Sequence, residues 1–202
     1  MTISTNSQGM LMKISKNENQ VSLSEEFSFY EILFQLKNLY RQGWLQAGIS
    51  KEHCESIADH SFALAMLCLK YQKDYPEMLD MEKMLKMTLI HDLAEAVIGD
   101  ITPSEEISLK DKFSMEKEAI ESILSHFPDS DELLDIWLDF ETGGSSTALY
   151  VKQMDKIEMM LQALVYQNHS VDLSSFFEST EKQMQNDFFK DLRLKIINKA
   201  KL

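Results

Sequence analysis

Chain breakers and cross-links are what this sequence has least of. Its 202 residues include 6 glycines, 3 prolines and 2 cysteines. So few breakers exclude a fold of many short strands and tight turns, and abundant Leu, Met, Lys and Glu favour long helices. Cys54 and Cys68 form no CxxC pair, which argues against a disulfide framework or a zinc knuckle. No apolar run approaches the length of a membrane span, and residues 1–19 are polar, without a signal-peptide core. A reducing cytoplasm is the expected compartment. Positive charge is short too: 20 Lys and Arg against 33 Asp and Glu give a formal net charge of -13. Such a surface repels nucleic-acid polymers and anionic membranes. A small anion can bind only where a local cation overrides that field.

What remains is an ordinary globular composition, 44% hydrophobic and 26% charged, with length enough for one core. Residues 1–25 are rich in Ser, Asn, Gln and Lys and read as a flexible tail with a short apolar patch at 10–12. Residues 26–202 read as one all-α domain, a helical bundle. Apolar residues recur at helical spacing over 27–42, with Gly43 as a stop, and over 56–71. A third helix spans 81–97, opened by Asp80 as N-cap and ended by Gly99. Its stretch 84–98 is apolar almost all round, the mark of a buried central helix. Pro103 lies in a loop. Further helices follow over 109–126, 131–141 (closed by Gly143–Gly144), 146–167 and 173–199.

The polar residues that break these apolar faces carry the chemistry. In LIHDLAEAVIGD, His91, Asp92 and Glu95 stand on an otherwise apolar helix, with His91 and Glu95 on one face. Burying two carboxylates and an imidazole without a partner would cost several kcal/mol, roughly, in desolvation. A divalent cation removes that cost. His60 interrupts the apolar stripe of the preceding helix, and Asp155 lies at the edge of the apolar face in YVKQMDKIEMML, with Glu158 one turn on. Helices packed face to face can bring these groups to one ion. Two imidazoles and two carboxylates suit a borderline or hard divalent ion: Mn, Co, Fe, Ni, Zn or Mg. No thiolate takes part, so positions stay open for water and substrate. Each residue alone has a plainer reading, since a lone histidine on an apolar face is usually a hydrogen-bonded core residue. Their joint occurrence favours the metal. Thr88 either reaches the site or caps a carbonyl of its own helix. Met154, Met159 and Met160 read as core or dimer surface, and His53, His126 and His169 receive no role.

His60, the pair His91–Asp92 and Asp155 resemble the defining motif of the HD-domain metal-dependent phosphohydrolases. Within that superfamily the chain is most similar to the 5'-deoxynucleotidases, through RQGW (41–44), ESIADHSFALAML (55–67), HDLAEAVIGDITP (91–103) and VKQMDKIEMMLQA (151–163). The resemblance covers about residues 27–167. It implies an HD-domain fold and removal of the 5'-phosphate from deoxyribonucleoside 5'-monophosphates. It implies one divalent ion, with Mn and Co among the candidates, on His60, His91, Asp92 and Asp155. Glu95 would orient or deprotonate the attacking water, and Asp100 would be a further active-site carboxylate near the sugar and leaving oxygen. Arg41 would bind the phosphate, Trp44 would wall the substrate site, and the enzyme would be a homodimer. Arg41 by itself also reads as a surface charge near a helix C-terminus; the resemblance decides for phosphate.

Three other readings are weighed. A guanosine tetraphosphate hydrolase would carry a second acid after the catalytic Glu, where this chain has Ala96. A cyclic-dinucleotide phosphodiesterase would need further histidines for a second metal. A non-catalytic HD scaffold could have lost a ligand or Glu95, yet all these positions are intact.

Overall fold

The computed structural model describes residues 27–102, 107–169 and 171–200. The expected tail over 1–25 and Pro103 lie outside the described residues. Ten α-helices follow one another among the described residues: α1 (Ser28–Asn38), α2 (Gln42–Gln46), α3 (Ile57–Tyr71), α4 (Met81–Ile90), α5 (Glu95–Ile98), α6 (Leu109–Leu124), α7 (Ser130–Thr142), α8 (Ser146–Tyr166), α9 (Ser174–Glu178) and α10 (Asp187–Ala200). No strand occurs among the described residues, as so few breakers predict.

The centre is α8, whose 21 residues bury Ala148, Val151, Met154, Ile157 and Met160. These positions recur every three residues, so they wind around the helix, as suits a central helix covered on several sides. Helices α3, α4, α7 and α10 pack around α8. Fully buried Leu64, Met84 and Met87 complete the core between them. Tyr150 Oη on α8 donates to the Cys68 carbonyl on α3 at 3.0 Å, tying together two of the helices that carry the site.

The helix starts follow the caps. Ser56 caps α3, and its side chain and backbone exchange hydrogen bonds with Asp59. Asp80 caps α4 through Lys83 N, and Ser108 and Ser145 cap α6 and α8. Gly143, in the left-handed conformation at φ 63°, ends α7, where a glycine escapes the Cβ clash.

Three expected helices are in fact interrupted. The first breaks at Leu39–Arg41, because the Leu39 carbonyl accepts from Ile57 N at 2.9 Å and Arg41 N donates to the Glu55 carbonyl at 3.1 Å. Those partners pull this stretch into an isolated antiparallel bridge between Tyr40 and Ser56. Gly43, read as a stop, therefore lies inside α2. The third helix splits after Ile90. There Trp137 Nε1 donates to the His91 carbonyl at 3.2 Å, and Glu95 N turns to the Asp92 carbonyl instead at 3.1 Å. The last helix divides into α9 and α10. Between them Thr180 Oγ1 donates to the Phe177 carbonyl at 2.7 Å, and Asn186 Oδ1 accepts from Phe189 N at 3.1 Å to open α10.

Candidate metal centre and active site

His60 enters from the first turn of α3 and is fully buried. Its Nδ1 lies 2.6 Å from Glu158 Oε2 on α8. A buried carboxylate at that distance accepts the Nδ1 proton, so in the neutral ring Nε2 carries the lone pair. Burial and Arg41 oppose a charge on the ring, but Asp155 and Glu158 push its pKa up to about 9, so an ion at Nε2 would take the place of a proton. Nε2 then faces Asp155 Oδ1 at 3.2 Å and Asp92 Oδ2 at 3.7 Å. His91, at the end of α4, repeats the arrangement. Its Nδ1 lies 3.0 Å from the Thr88 carbonyl, which can only accept. Its Nε2 points at Asp92 Oδ2, 3.0 Å away. The two imidazole rings meet edge to face, with centroids 5.5 Å apart.

Both Nε2 atoms are buried and neither makes a hydrogen bond. Two buried ring nitrogens that face carboxylates need a cation between them, a proton or a metal, and orphaned buried polar atoms of this kind are rare in folded proteins. A divalent ion on the Nε2 side resolves the conflict, so the residues fit the metal. The ligand atoms of His60, His91 and Asp92 all lie within 4.8 Å of one another, and Asp155 joins through its contact with His60. Glu55, His60 and Glu158 form a second buried group of possible donors. Because His60 Nδ1 is committed to Glu158, that group offers no free imidazole lone pair.

Glu95 lies at the start of α5, buried, with Oε2 free of any hydrogen bond. Burial, then the charges of Asp92 and Asp100, push its carboxyl well above the ordinary range. Asp100 follows Gly99, whose φ of 85° turns the chain out of α5. Its Oδ2 accepts from Gln42 N at 2.6 Å, so Asp100 tethers the start of α2 to the site.

Arg41 sits at the N-terminal end of α2. Its Nη1 lies 3.6 Å from Asp92 Oδ2 and its Nε 3.6 Å from Glu55 Oε1. Burial opposes its charge, but Asp92, Asp155 and Glu55 raise its pKa and keep it protonated. Burial and Glu158 in turn push Glu55 up to about 7, against the pull of Arg41 and Trp44. Trp44, expected to wall the substrate site, is instead 1% exposed. Its Nε1 donates to Glu55 Oε1 at 2.7 Å, and its ring stacks on Phe176 of α9 with centroids 4.2 Å apart. It backs the site without reaching the cavity. Thr88 caps its own helix, donating to the Leu85 carbonyl at 2.9 Å. His53 and His126, left without a role, have local partners in Ser50 and the Ile123 carbonyl.

A cavity of 430 Å³ opens beside the cluster, lined by His91, Asp92, Glu95 and Asp155 on one side and by Lys112, Phe113, Phe140, Lys152 and Lys156 among others. Three lysines stand there among five carboxylates, Glu116 and Glu141 included, so the wall stays acidic until a cation joins it. Lys156 Nζ bonds Asp155 Oδ2 at 2.8 Å, and Lys152 Nζ bonds the Phe140 carbonyl at 2.8 Å while lying over that ring. Sequence reasoning missed Glu55 and Lys156 and gave Glu158 no role. Glu158 lies one turn beyond Asp155 on a buried helix, and that burial was the available signal.

The HD domain family pattern matches residues 33–193. The 5'-deoxynucleotidase HDDC2 of Dictyostelium discoideum is 35% identical over 187 residues, which cover 86% of this chain and 97% of that protein. The human protein of the same name is 33% identical over 157 residues, 75% of this chain and 74% of its own length. Among solved structures, a protein from Pyrococcus horikoshii OT3 superposes with a TM-score of 0.71 at 30% identity, over 87% of this chain and 98% of that one.

Proposed function

This chain belongs to the HD-domain family, beside its 5'-deoxynucleotidases, and on that footing we propose that it is a metal-dependent phosphohydrolase removing the 5'-phosphate from deoxyribonucleoside 5'-monophosphates. The observation that carries this reading is the pair of buried Nε2 atoms on His60 and His91, free of hydrogen bonds and facing Asp92 and Asp155.

His60, His91, Asp92 and Asp155 would hold one divalent ion, with Mn and Co the first to try. When bound, the ion supplies Lewis acidity to a phosphoryl oxygen and lowers the pKa of a water beside it. Glu95, one turn from His91 and lining the same cavity, takes the proton of the attacking water. Arg41, 3.6 Å from Asp92, offers a planar fork to the phosphate oxygens. Lys156, held on Asp155, adds positive charge at the cavity wall. Asp100 holds the start of α2, and through it Arg41, against the end of α5.

Two further features belong to the same reading. Phe27, at the cap of α1, Tyr30 and Phe34 on α1, and Phe62 and Met66 on α3 are all more than half exposed. A second copy of the chain would cover these apolar side chains. Light scattering should then give twice the 23.4 kDa chain mass. Two buried free thiols, Cys54 and Cys68, suit a reducing cytoplasm.

The test is phosphate release from a panel of nucleoside monophosphates with Mn or Co. Deoxyribonucleotides should be hydrolysed faster than the matching ribonucleotides. No release with any divalent metal overturns the proposal.

A further inference from the structure

We propose that Glu55 is a positioning residue that aims the Arg41 guanidinium at the phosphate site, with Trp44 as its support. This rests on the reading of Arg41 as the phosphate clamp. It unites two sequence pieces, RQGW and the start of ESIADH, whose Trp and Glu the catalytic account leaves without a task.

The geometry begins in the backbone. Arg41 N donates to the Glu55 carbonyl at 3.1 Å and Ile57 N to the Leu39 carbonyl at 2.9 Å, so the chain leading into α2 is clipped to the chain leading into α3. Side chains repeat the clip. Glu55 Oε1 accepts from Trp44 Nε1 at 2.7 Å and faces Arg41 Nε at 3.6 Å. A guanidinium presents its five N–H groups in one rigid plane. A carboxylate on the Nε edge therefore sets the rotation of the whole fork. The other end then falls beside the metal ligands, with Nη1 3.6 Å from Asp92 Oδ2.

Glu55 is itself rigidly held. It is 8% exposed, and its backbone N donates to Tyr166 Oη at 2.8 Å, while that hydroxyl donates to the His53 carbonyl at 2.9 Å. The Trp44 ring sits against Tyr166, with centroids 5.3 Å apart, and against Phe176. The charge that orients Arg41 is thus fixed from α8 and α9. A long arginine side chain carries large rotamer entropy, and a preset partner removes that cost before the phosphate arrives. Glu55, Trp44 and Arg41 all stand behind the cavity wall, and of the three Arg41 approaches the wall residue Asp92, at 3.6 Å, so an effect of Glu55 or Trp44 on phosphate would pass through Arg41.

The experiment is a double-mutant cycle at pH 8 with Mn present, comparing the native chain, Glu55→Gln, Arg41→Ala and the double variant. Inhibition by inorganic phosphate and the KM for a deoxynucleoside monophosphate are read for each, together with Mn affinity by calorimetry. Glu55→Gln should raise the phosphate Ki and the KM about tenfold, the scale of losing one charged partner of a partly buried cation. Mn affinity should not change. In the Arg41→Ala background the same substitution should add nothing. Trp44→Phe, which keeps a ring and loses the donor, should shift the Ki the same way by less. Should Glu55→Gln not fold, Glu55→Asp carries the comparison with the charge withdrawn by one methylene.

The proposal is overturned if Arg41→Ala weakens phosphate binding while the Glu55 variant leaves it unchanged, or if the Glu55 effect persists in full without Arg41. If Arg41→Ala itself leaves phosphate inhibition unchanged, the reading of Arg41 fails first and the positioning role falls with it.

Discussion

Replacing Glu158 should weaken metal binding without touching any ligand. Its Oε2 lies 2.6 Å from His60 Nδ1, and both residues are buried, at 3% and 0% exposure. Water cannot replace the lost acceptor there. The hydrogen bond fixes the tautomer with Nε2 bare and makes that nitrogen more basic. Removing a carboxylate that backs a metal-binding histidine typically costs about 10–100-fold in metal affinity. Glu158→Gln keeps an amide oxygen that can still accept from Nδ1 and loses only the charge, so it should fall near the lower figure, about tenfold. Glu158→Ala removes the acceptor and frees the ring, so it should fall near the upper figure, about 100-fold. Calorimetric titration with Mn measures both, and thermal unfolding shows whether each variant is folded. Folded variants that bind Mn as tightly as the native chain would refute the idea that Glu158 sets the His60 lone pair.

The remaining predictions concern chemistry and stability. Glu95→Gln should lower kcat by about 10²–10⁴-fold, the usual worth of a general base, with Mn affinity retained in a parallel titration. Asp139 should govern part of the acid stability. Burial alone would raise its pKa, but hydrogen bonds from Lys83 and Ser145 outweigh burial and hold it below the ordinary carboxylate range. Its stabilising contribution is therefore full above the unfolded-state pKa and is lost as pH falls through the lower folded value. Asp139→Asn should flatten the acid limb of a plot of unfolding free energy against pH. Met154→Ala, at a fully buried position in the centre of α8, should cost about 2–5 kcal/mol in denaturant unfolding. Trp137→Phe should cost at least about 1 kcal/mol, because the His91 carbonyl loses its indole donor.

Much of the bundle was legible because helix periodicity and caps are local signals. Asp80 and Ser56 announce the starts of α4 and α3 in the sequence itself. The breaks at Leu39–Arg41 and after Ile90 were not legible. Each follows from a partner distant in sequence, Glu55 and Ile57 in one case and Trp137 in the other. The metal cluster could be read as polar groups stranded on apolar faces, a pattern that needs no tertiary knowledge. Trp44 shows the limit of that reasoning. An aromatic beside a phosphate-binding arginine looks like a substrate wall, yet its burial depends on Phe176 and Tyr166, which lie far along the chain. Glu158 carried the stranded-group signal but needed His60 across the helix interface to give it meaning.

Anomalous scattering from crystals grown with Mn tests the central claim most directly. The account predicts one ion bonded to His60 Nε2, His91 Nε2 and carboxylate oxygens of Asp92 and Asp155, at roughly 2.0–2.3 Å from each. An ion bound elsewhere, or these four side chains free of Mn at saturating concentration, would contradict it.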